Sequence, residues 1–416
     1  MGKRHTYIFL FLLIAVSLKI FDATIAQTGI LKNLIYGASL IFILMSLPFL
    51  FKKKGGFILP VQLISISIVI SIFMAQYTWG QPLSYAGTTI PYLLWFTFFY
   101  LINQNISIQK IENVVLVFGA LYTVLFLFQY THNGVLYFGF RELVEDRGVI
   151  RIIFPGGGVF FLSIFIAINK VTVTKKKAKF LWLSLAAIGM VIVVLQVTRQ
   201  MIAVVVLMYA IHFFRNANAI QKLGIVIFFS SICYFFANSD NPITKGLKEQ
   251  QKQDASAGKD YIRLLAAEYF LKEFTPNIAS KVLGNGYYNE TSEYGKKIVA
   301  VSELYGFFLS DVGLVETYVL FGIFALFGYL IIFSKILFFK LPRHLQYLQY
   351  YMVMMILTSV TSDFLISTSY LISTILVLTI YQKLFEKPLH LQQTKSKSPH
   401  NVRNSKADQK VLLLQS

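Results

Sequence analysis

Apolar runs of roughly bilayer length recur along almost the whole chain, and they exclude most folds. A helix needs about 20 apolar residues to cross the hydrocarbon core. Every backbone N–H and C=O placed there must be satisfied within the protein, which leaves helices or closed barrels. Such runs occupy Tyr7–Ala26, Leu34–Phe51, Phe57–Tyr77, Thr88–Ile102, Ile111–Tyr130, Ile150–Asn169, Phe180–Val197, Met201–Phe214, Leu223–Asn238, Asp311–Ser334, Leu345–Thr361 and Asp363–Tyr381. Charged residues make up 14% of the 416 positions, where a soluble domain carries roughly a quarter. The expected fold class is an all-α polytopic membrane protein of about 12 transmembrane helices with one large extracytoplasmic loop.

The first run is followed by only a weak cleavage site, Thr24-Ile25-Ala26, and holds Lys19 and Asp22. It reads as a retained span rather than a removed signal peptide. Lys19 and Asp22, three apart, are expected to share a helix face and to pair near its end. A single cysteine, Cys233, excludes a disulfide framework and a Cys-rich metal site.

A net charge of +19 raises the question of nucleic acid. Its distribution answers it. Twelve spans put both termini on one side, and the segments on that side hold 23 of the 38 basic residues against three of the 19 acids. Lys52-Lys53-Lys54, Lys175-Lys176-Lys177 and the tail from Lys383 supply much of this excess. Basic residues concentrated on one side follow the positive-inside rule and describe no nucleic-acid patch. The reading gives a multi-pass protein in a lipid bilayer, both termini cytoplasmic, with no nucleic-acid partner. It divides the chain into transmembrane helices 1–9 (1–238), an extracytoplasmic loop (239–309), helices 10–12 (310–382) and a disordered basic tail (383–416).

Chemistry concentrates at the outer face. Arg141, Arg147 and Arg151 precede Phe154-Pro155-Gly156-Gly157-Gly158, where three glycines disfavour regular helix and suggest a closely approached backbone. A guanidinium there can fork onto phosphate oxygens, although an arginine can also snorkel to ordinary headgroups. Arg199 sits in the turn Thr198-Arg199-Gln200 between two apolar runs. An arginine below the outer surface is costly unless it faces a partner or a wet cavity.

Within the loop, Asp260–Phe274 reads as an amphipathic helix with Ile262, Leu265, Ala266, Tyr269 and Phe270 on one stripe and Arg263 at its edge. Leu283-Gly284-Asn285-Gly286 reads as a tight turn with exposed amides. Tyr287, Tyr288 and Tyr305 offer flat faces to sugar rings, a role that competes with ordinary interfacial placement. Glu303 and Asp311 are candidate proton acceptors; Asp311 could instead cap the following helix. Asp311 and Glu316, five apart, point in different directions and form no carboxylate pair. Gly313, Gly322 and Gly328 allow close helix packing. No metal site and no cofactor are expected, since the sequence holds no phosphate-binding glycine motif and no His or Cys ligand cluster.

Several of these residues resemble, in order and spacing, the bacterial O-antigen polymerase and ligase family. The likeness rests on Arg151 ahead of Pro155, Thr198-Arg199-Gln200, Arg263 followed by Leu283-Gly284-Asn285-Gly286, and Ser310-Asp311 opening a span that reaches Gly322-Ile323. It covers roughly Arg147 to Phe327. It implies a membrane glycosyltransferase that moves glycan from a polyprenyl diphosphate carrier to a sugar hydroxyl. Arg147, Arg151, Arg199 and Arg263 would hold the diphosphate. Asp311, or failing it Glu303, would take the proton. A polyprenyl-diphosphate-linked oligosaccharide is the implied substrate, and a chain-length regulator a further partner. Family ligases carry a histidine near the place of Ser310-Asp311, and 239–309 contains none; the family's Pro-Asn pair is Pro155-Gly156 here. Both departures favour a polymerase of surface polysaccharide repeat units over a ligase. A flippase for the same lipid-linked sugars is the rival from another class, but it would need polar groups along a path through the bilayer.

The charge count gives a direct test. In a Cys233→Ser background, Asn289→Cys should react with an impermeant thiol reagent in intact cells and Lys176→Cys should not; the opposite labelling would reverse the orientation.

Overall fold

The computed structural model describes residues 3–104, 106–144, 149–153, 155–174, 176–196, 198–216 and 261–396, with isolated positions 218, 222 and 231. The apolar runs become helices: α1 Lys3–Ser17, α2 Gly29–Ser46, α3 Ile58–Trp79, a broken helical segment Leu83–Asn103, α4 Ile108–Thr131, α5 Gly157–Val173, α6 Lys176–Leu195 and α7 Arg199–Asn216. After the stretch outside the described residues come α8 Ile262–Tyr269, α9 Ile278–Leu283, α10 Glu293–Tyr305, α11 Leu314–Phe338, α12 Gln346–Thr358 and α13 Thr368–Ser396. Seven helical segments among the described residues are long and apolar enough to cross a membrane, and α5 and the 5–17 part of α1 are shorter apolar helices. The expected span Leu223–Asn238 lies outside the described residues. So does the loop between it and residue 261.

Helix α5 is the centre of the bundle. It is apolar all round, and every residue from Gly157 to Asn169 is buried, as expected of a helix with no solvent or lipid face. Small residues let its neighbours close in. A Cβ at Gly158 would run into Ser373 and the backbone of Tyr370 on α13, one at Gly119 into Ser163, and one at Gly189 into Ile164. Peripheral helices show the opposite pattern. Leu34, Ile41 and Leu44 on α2, Val117 and Val124 on α4, and Phe180 and Leu181 on α6 are exposed, as lipid-facing side chains of a membrane protein are.

One end of the bundle is laced by lysines. Lys53 pairs with Glu386 at 2.8 Å and donates to the Ile102 carbonyl; Lys335 donates to Gly56 O, and Lys383 to Gln104 O and Ile106 O. Lys170 pairs with the buried Glu112 at 3.0 Å, whose other oxygen accepts from Tyr347 at 2.8 Å. Helix α13 runs to Ser396, so the first residues assigned to the tail are part of the fold, and Gln382 is fully buried.

The opposite end is less regular. Where a continuous helix is expected to carry Lys19 and Asp22 on one face, four residues take left-handed backbone angles, φ from +47° to +60° over Lys19–Asp22. The turn is held by Gly139 N–H donating to Asp22 O, and Thr24 N–H to Tyr137 O. Asp22 is buried there. The span expected from Ile150 begins instead at Gly157. Ahead of it, β1 Phe140–Val144 and β2 Val149–Ile153 form an antiparallel hairpin with Glu142 opposite Arg151. Of the three glycines only Gly156 is irregular, at φ 94°; Gly157 and Gly158 are helical and serve the contact with α13.

The connection through α9 determines the architecture of this end. Helix α11 breaks at Gly322, φ 80° and ψ −179°. Val319 and Leu320 would, in an unbroken helix, accept from the N–H groups four residues on. Here Val319 O accepts from Asn285 N at 2.9 Å and from its Nδ2 at 2.9 Å, and Leu320 O accepts from Gly286 N at 2.8 Å. The chain approaches so closely that a Cβ at Gly284 would lie 2.5 Å from Leu320 O, and one at Gly322 2.5 Å from Val282 O. Gly286 lies against Ser71 and Ala75 of α3. Ser71 is two turns inside that helix, roughly 12 Å below its end at Trp79. Residues 283–287 therefore re-enter the level of the bundle and complete its hydrogen bonding.

The glycines give a sharp expectation. Gly284→Ala and Gly322→Ala combine a left-handed backbone with a backbone clash and should largely abolish monodisperse protein in detergent. Gly87→Ala, which meets nothing within 4 Å and has no left-handed angle, should express as the parent does.

Candidate functional site

The re-entrant segment is the floor of the site. Asn285 is fully buried, its Nδ2 also donating to Thr275 Oγ1 at 3.0 Å and its Oδ1 accepting from Trp79 Nε1 at 2.9 Å. The exposed amides expected of Gly284-Asn285-Gly286 are thus absent: those of Asn285 and Gly286 are spent on α11. The motif is structural.

Directly after it the chain presents Tyr287 and Tyr288, half-buried and stacked on each other with centroids 5.2 Å apart. Tyr92 of the broken segment meets Tyr287 at 4.6 Å between centroids. An aromatic ridge continues from Tyr288 through Tyr294, Phe274 and Tyr269 to Tyr305 and Phe307, each ring within 6.4 Å of the next. Trp79 stacks on Tyr294, with the Lys297 ammonium 4.6 Å from the Trp79 centroid. Burial lifts the Tyr287 and Tyr288 hydroxyls above their ordinary range, so both remain protonated and able to donate. Tyr305 sits at the far, exposed end of the ridge.

Arg263 and Asp311 come together, Nη2 to Oδ2 at 3.6 Å, with side chains 33% and 46% exposed. The other Arg263 nitrogen, Nη1, reaches Thr361 O at 3.4 Å. Gln200, next to Arg199 at the start of α7, is tied to the same turn. Its Nε2 donates to Leu357 O at 2.9 Å, and its Oε1 accepts from Thr361 Oγ1 and Ser362 Oγ, each at 3.0 Å. Two segments far apart in sequence, at Gln200 and Arg263, thus share the turn between α12 and α13, and Asp311 joins them through Arg263. Asp311 lies in a 3₁₀ turn, Leu309–Asp311, and the residue that caps α11 is Gly313, without a side-chain bond. The capping role open to Asp311 in the sequence is not the one it takes.

Glu316 stands one turn farther in. It is buried, and its Oε2 has no hydrogen-bond partner. Asp363 and Asp311 are close enough to act on it electrostatically, and it acts in turn on Tyr92, Tyr287 and Tyr288. The expectation that Asp311 and Glu316 do not pair holds for direct contact, although Asp311 acts on Glu316 electrostatically. No group of three His, Cys, Asp or Glu residues suited to a metal ion occurs among the described residues.

The remaining candidates divide. Arg199 is half-buried at the start of α7, one residue from Gln200. Arg151 is placed on β2 by its backbone alone, and Arg147 lies outside the described residues. Glu303 is exposed on α10 and joins none of the contacts around Asp311. The sequence reading missed Tyr92, Thr361, Asp363 and Glu316 as members of this site. For Thr361–Asp363 the signal was present: a polar turn between two apolar runs.

The Arg263–Asp311 pair is long and partly exposed, and such pairs contribute about 0–1 kcal/mol to stability. Asp311→Asn should therefore accumulate in the membrane and unfold within a few degrees of the parent; a large loss of folded protein would show a structural role instead. No family model, no curated protein and no solved structure matches the chain.

Proposed function

We propose that the protein is a polymerase of surface polysaccharide repeat units in the bacterial cytoplasmic membrane, spanning it twelve times with both termini inside. It would transfer a growing glycan from its polyprenyl diphosphate carrier to a sugar hydroxyl on the next carrier-linked unit. The observation that carries this reading is the pairing of Arg263 with Asp311 beside Gln200 and the stacked tyrosines at the end of the bundle remote from the lysines. It joins an anion-binding group to a proton acceptor in residues that carry the family resemblance, with flat sugar-sized faces at the same end of the bundle.

The chemistry follows from the pair's weakness. With no donor bound, Arg263 holds Asp311 through one long contact. A diphosphate offers the guanidinium shorter, two-pronged, charge-assisted bonds, so donor binding draws Arg263 away and leaves the Asp311 carboxylate free. The acceptor hydroxyl attacks the anomeric carbon, its proton passes to Asp311, and the carrier diphosphate departs with the bond electrons. Arg263 and Arg199 stabilise the charge gathering on that leaving group.

The break in α11 would also suit a transporter, whose discontinuous helices use freed carbonyls to bind ions. Here two of the carbonyls at the break, of Val319 and Leu320, are occupied by Asn285 and Gly286, which favours the enzyme.

A strain lacking the gene should accumulate single lipid-linked repeat units at the outer face. Accumulation at the inner face would support a flippase, and normal polymer left unattached to its final acceptor would support a ligase. Arg199→Lys loses a planar fork and one charge-assisted contact of about 1.5–3 kcal/mol, which predicts roughly ten- to hundredfold slower polymerisation. Asp311→Asn should be inserted yet yield only single units; long polymer from it would remove Asp311 from the chemistry.

A further inference from the structure

Helices α1 and α4 leave a groove of about 360 Å³ between them on the surface of the bundle. That volume lies within the range of small-ligand sites, about 300–1,000 Å³. Ile8, Phe11 and Leu12 of α1 and Val117 of α4 line it with exposed side chains, and Val114 with a buried one. The two helices run in the same direction, Tyr7 bonding to Asn113 and Phe11 lying on Phe118 at 4.8 Å between centroids.

The groove is polar at one end only. There Asn113 Nδ2 donates to the Tyr7 hydroxyl at 3.3 Å, and Gln109 Nε2 donates to Asn113 Oδ1 at 2.8 Å. The Lys110 ammonium stands 5.5 Å from the Tyr7 ring centroid. Lys3 and Arg4 open α1, one turn ahead of Tyr7 and Ile8. From this end the apolar lining extends along α1 to Leu12, roughly 7.5 Å at 1.5 Å per residue. The polar end belongs to the lysine-laced end of the bundle, since Lys383 donates to Ile106 O just before α4 begins.

Place and chemistry together decide the occupant. Clustered basic residues mark the level of the phospholipid headgroups. An apolar slot that ends in an ammonium and a hydroxyl matches an acyl chain joined to a phosphate. The Tyr7 hydroxyl accepts from Asn113, so its own proton is left for an acceptor such as a phosphate oxygen. A transmembrane helix matches less well. It is about 10–12 Å across with its side chains, more than 360 Å³ over this length admits, and an apolar helix has nothing to answer the cation at the groove's end.

We propose that the groove between α1 and α4 binds one anionic phospholipid, its acyl chain along Ile8, Phe11, Leu12 and Val117 and its phosphate at Lys110 and the Tyr7 hydroxyl. The lipid bridges α1 to α4 at the lysine end. The site depends on the membrane reading and is independent of the polymerase chemistry.

The test is native mass spectrometry of the full-length protein, stripped of lipid in a neutral detergent and titrated with phosphatidylglycerol or phosphatidylcholine of the same acyl chains. The parent should bind one phosphatidylglycerol saturably, about tenfold or more tighter than phosphatidylcholine. Lys110→Gln should remove most of that preference, the loss expected for one contact to a charged group. Val117→Trp fills the groove from its exposed edge and should abolish the saturable site; its unfolding temperature without added lipid should match the parent's, because Val117 faces outward. Equal affinity of the parent for the two lipids would overturn the proposal, as would undiminished phosphatidylglycerol binding by folded Val117→Trp. A parent dimer that Val117→Trp dissociates would overturn it too, and would give the groove to a second copy of the chain.

Discussion

Two backbone N–H groups from a loop complete the hydrogen bonding of a broken helix, and the half of the molecule remote from the lysines depends on that exchange. Asn285 and Gly286 donate to Val319 and Leu320 of α11, and the Asn285 side chain ties the same point to Trp79 and Thr275. Irregular backbone at membrane depth is tolerated only where protein satisfies its polar groups. This segment meets that condition from both sides, α11 on one and α3 on the other. Because its register is fixed, Tyr287 and Tyr288 emerge at one defined place, and Trp79 stacks against Tyr294 of α10 above it. Glycine is required at 284, 286 and 322 for a shared reason: each approach is backbone against backbone or helix, with no room for a Cβ.

What the sequence disclosed and what it hid divide along the range of the interactions. Apolar runs are local, and every run among the described residues holds helix, although the one from Ile150 does so only from Gly157. The Gly-Asn-Gly turn was legible as a turn, but its partner lies more than thirty residues on, so the sequence could not show that its amides are consumed. The strand 149–153 and the helix start at Gly157 fall within one apolar run, and apolarity alone does not separate a short strand from the first turns of a helix. The left-handed turn at Lys19–Asp22 was invisible for another reason. It contains no glycine, and left-handed backbone costs other residues about 1–2 kcal/mol each. The tertiary bonds to Gly139 and Tyr137 help to hold it, with the Gln27 side chain donating to Asp22 O. Of the site, Arg263, Asp311, Tyr287 and Tyr288 could be picked out by residue type. Glu316 could not, since its separation from Asp311 argued against a shared role, whereas the fold buries it within electrostatic reach of Asp311 and Asp363.

Ion pairs at the two ends of the bundle show how burial assigns different work to the same chemistry. Glu112 is buried, bonds Lys170 at 3.0 Å and accepts from Tyr347 at 2.8 Å. Removing one partner would leave a desolvated charge, so the group acts as a fixed anchor among α4, α5 and α12. Arg263 and Asp311 meet at 3.6 Å with a third to a half of each side chain exposed. Little is lost when they part, because water replaces the contact. An anchor at one end and an exchangeable pair at the other is the distribution a site needs if its charged groups must change partners during a reaction cycle.

The same contrast applies within the site. Its floor is rigid: Asn285 is fully buried with four hydrogen bonds, and Tyr294 behind it is fully buried as well. Its upper wall is not. Of the stripe on α8, Ala266 and the following Phe270 are buried, whereas Ile262 and Leu265 remain 44% and 36% exposed, so the helix that carries Arg263 is held along one edge only. The floor keeps Tyr287 and Tyr288 in fixed relation to α11. A wall held along one edge leaves Arg263 room to part from Asp311 without disturbing that relation. Positioning and exchange thus fall to different elements. The broken helix supplies the first, and the half-covered amphipathic helix supplies the second.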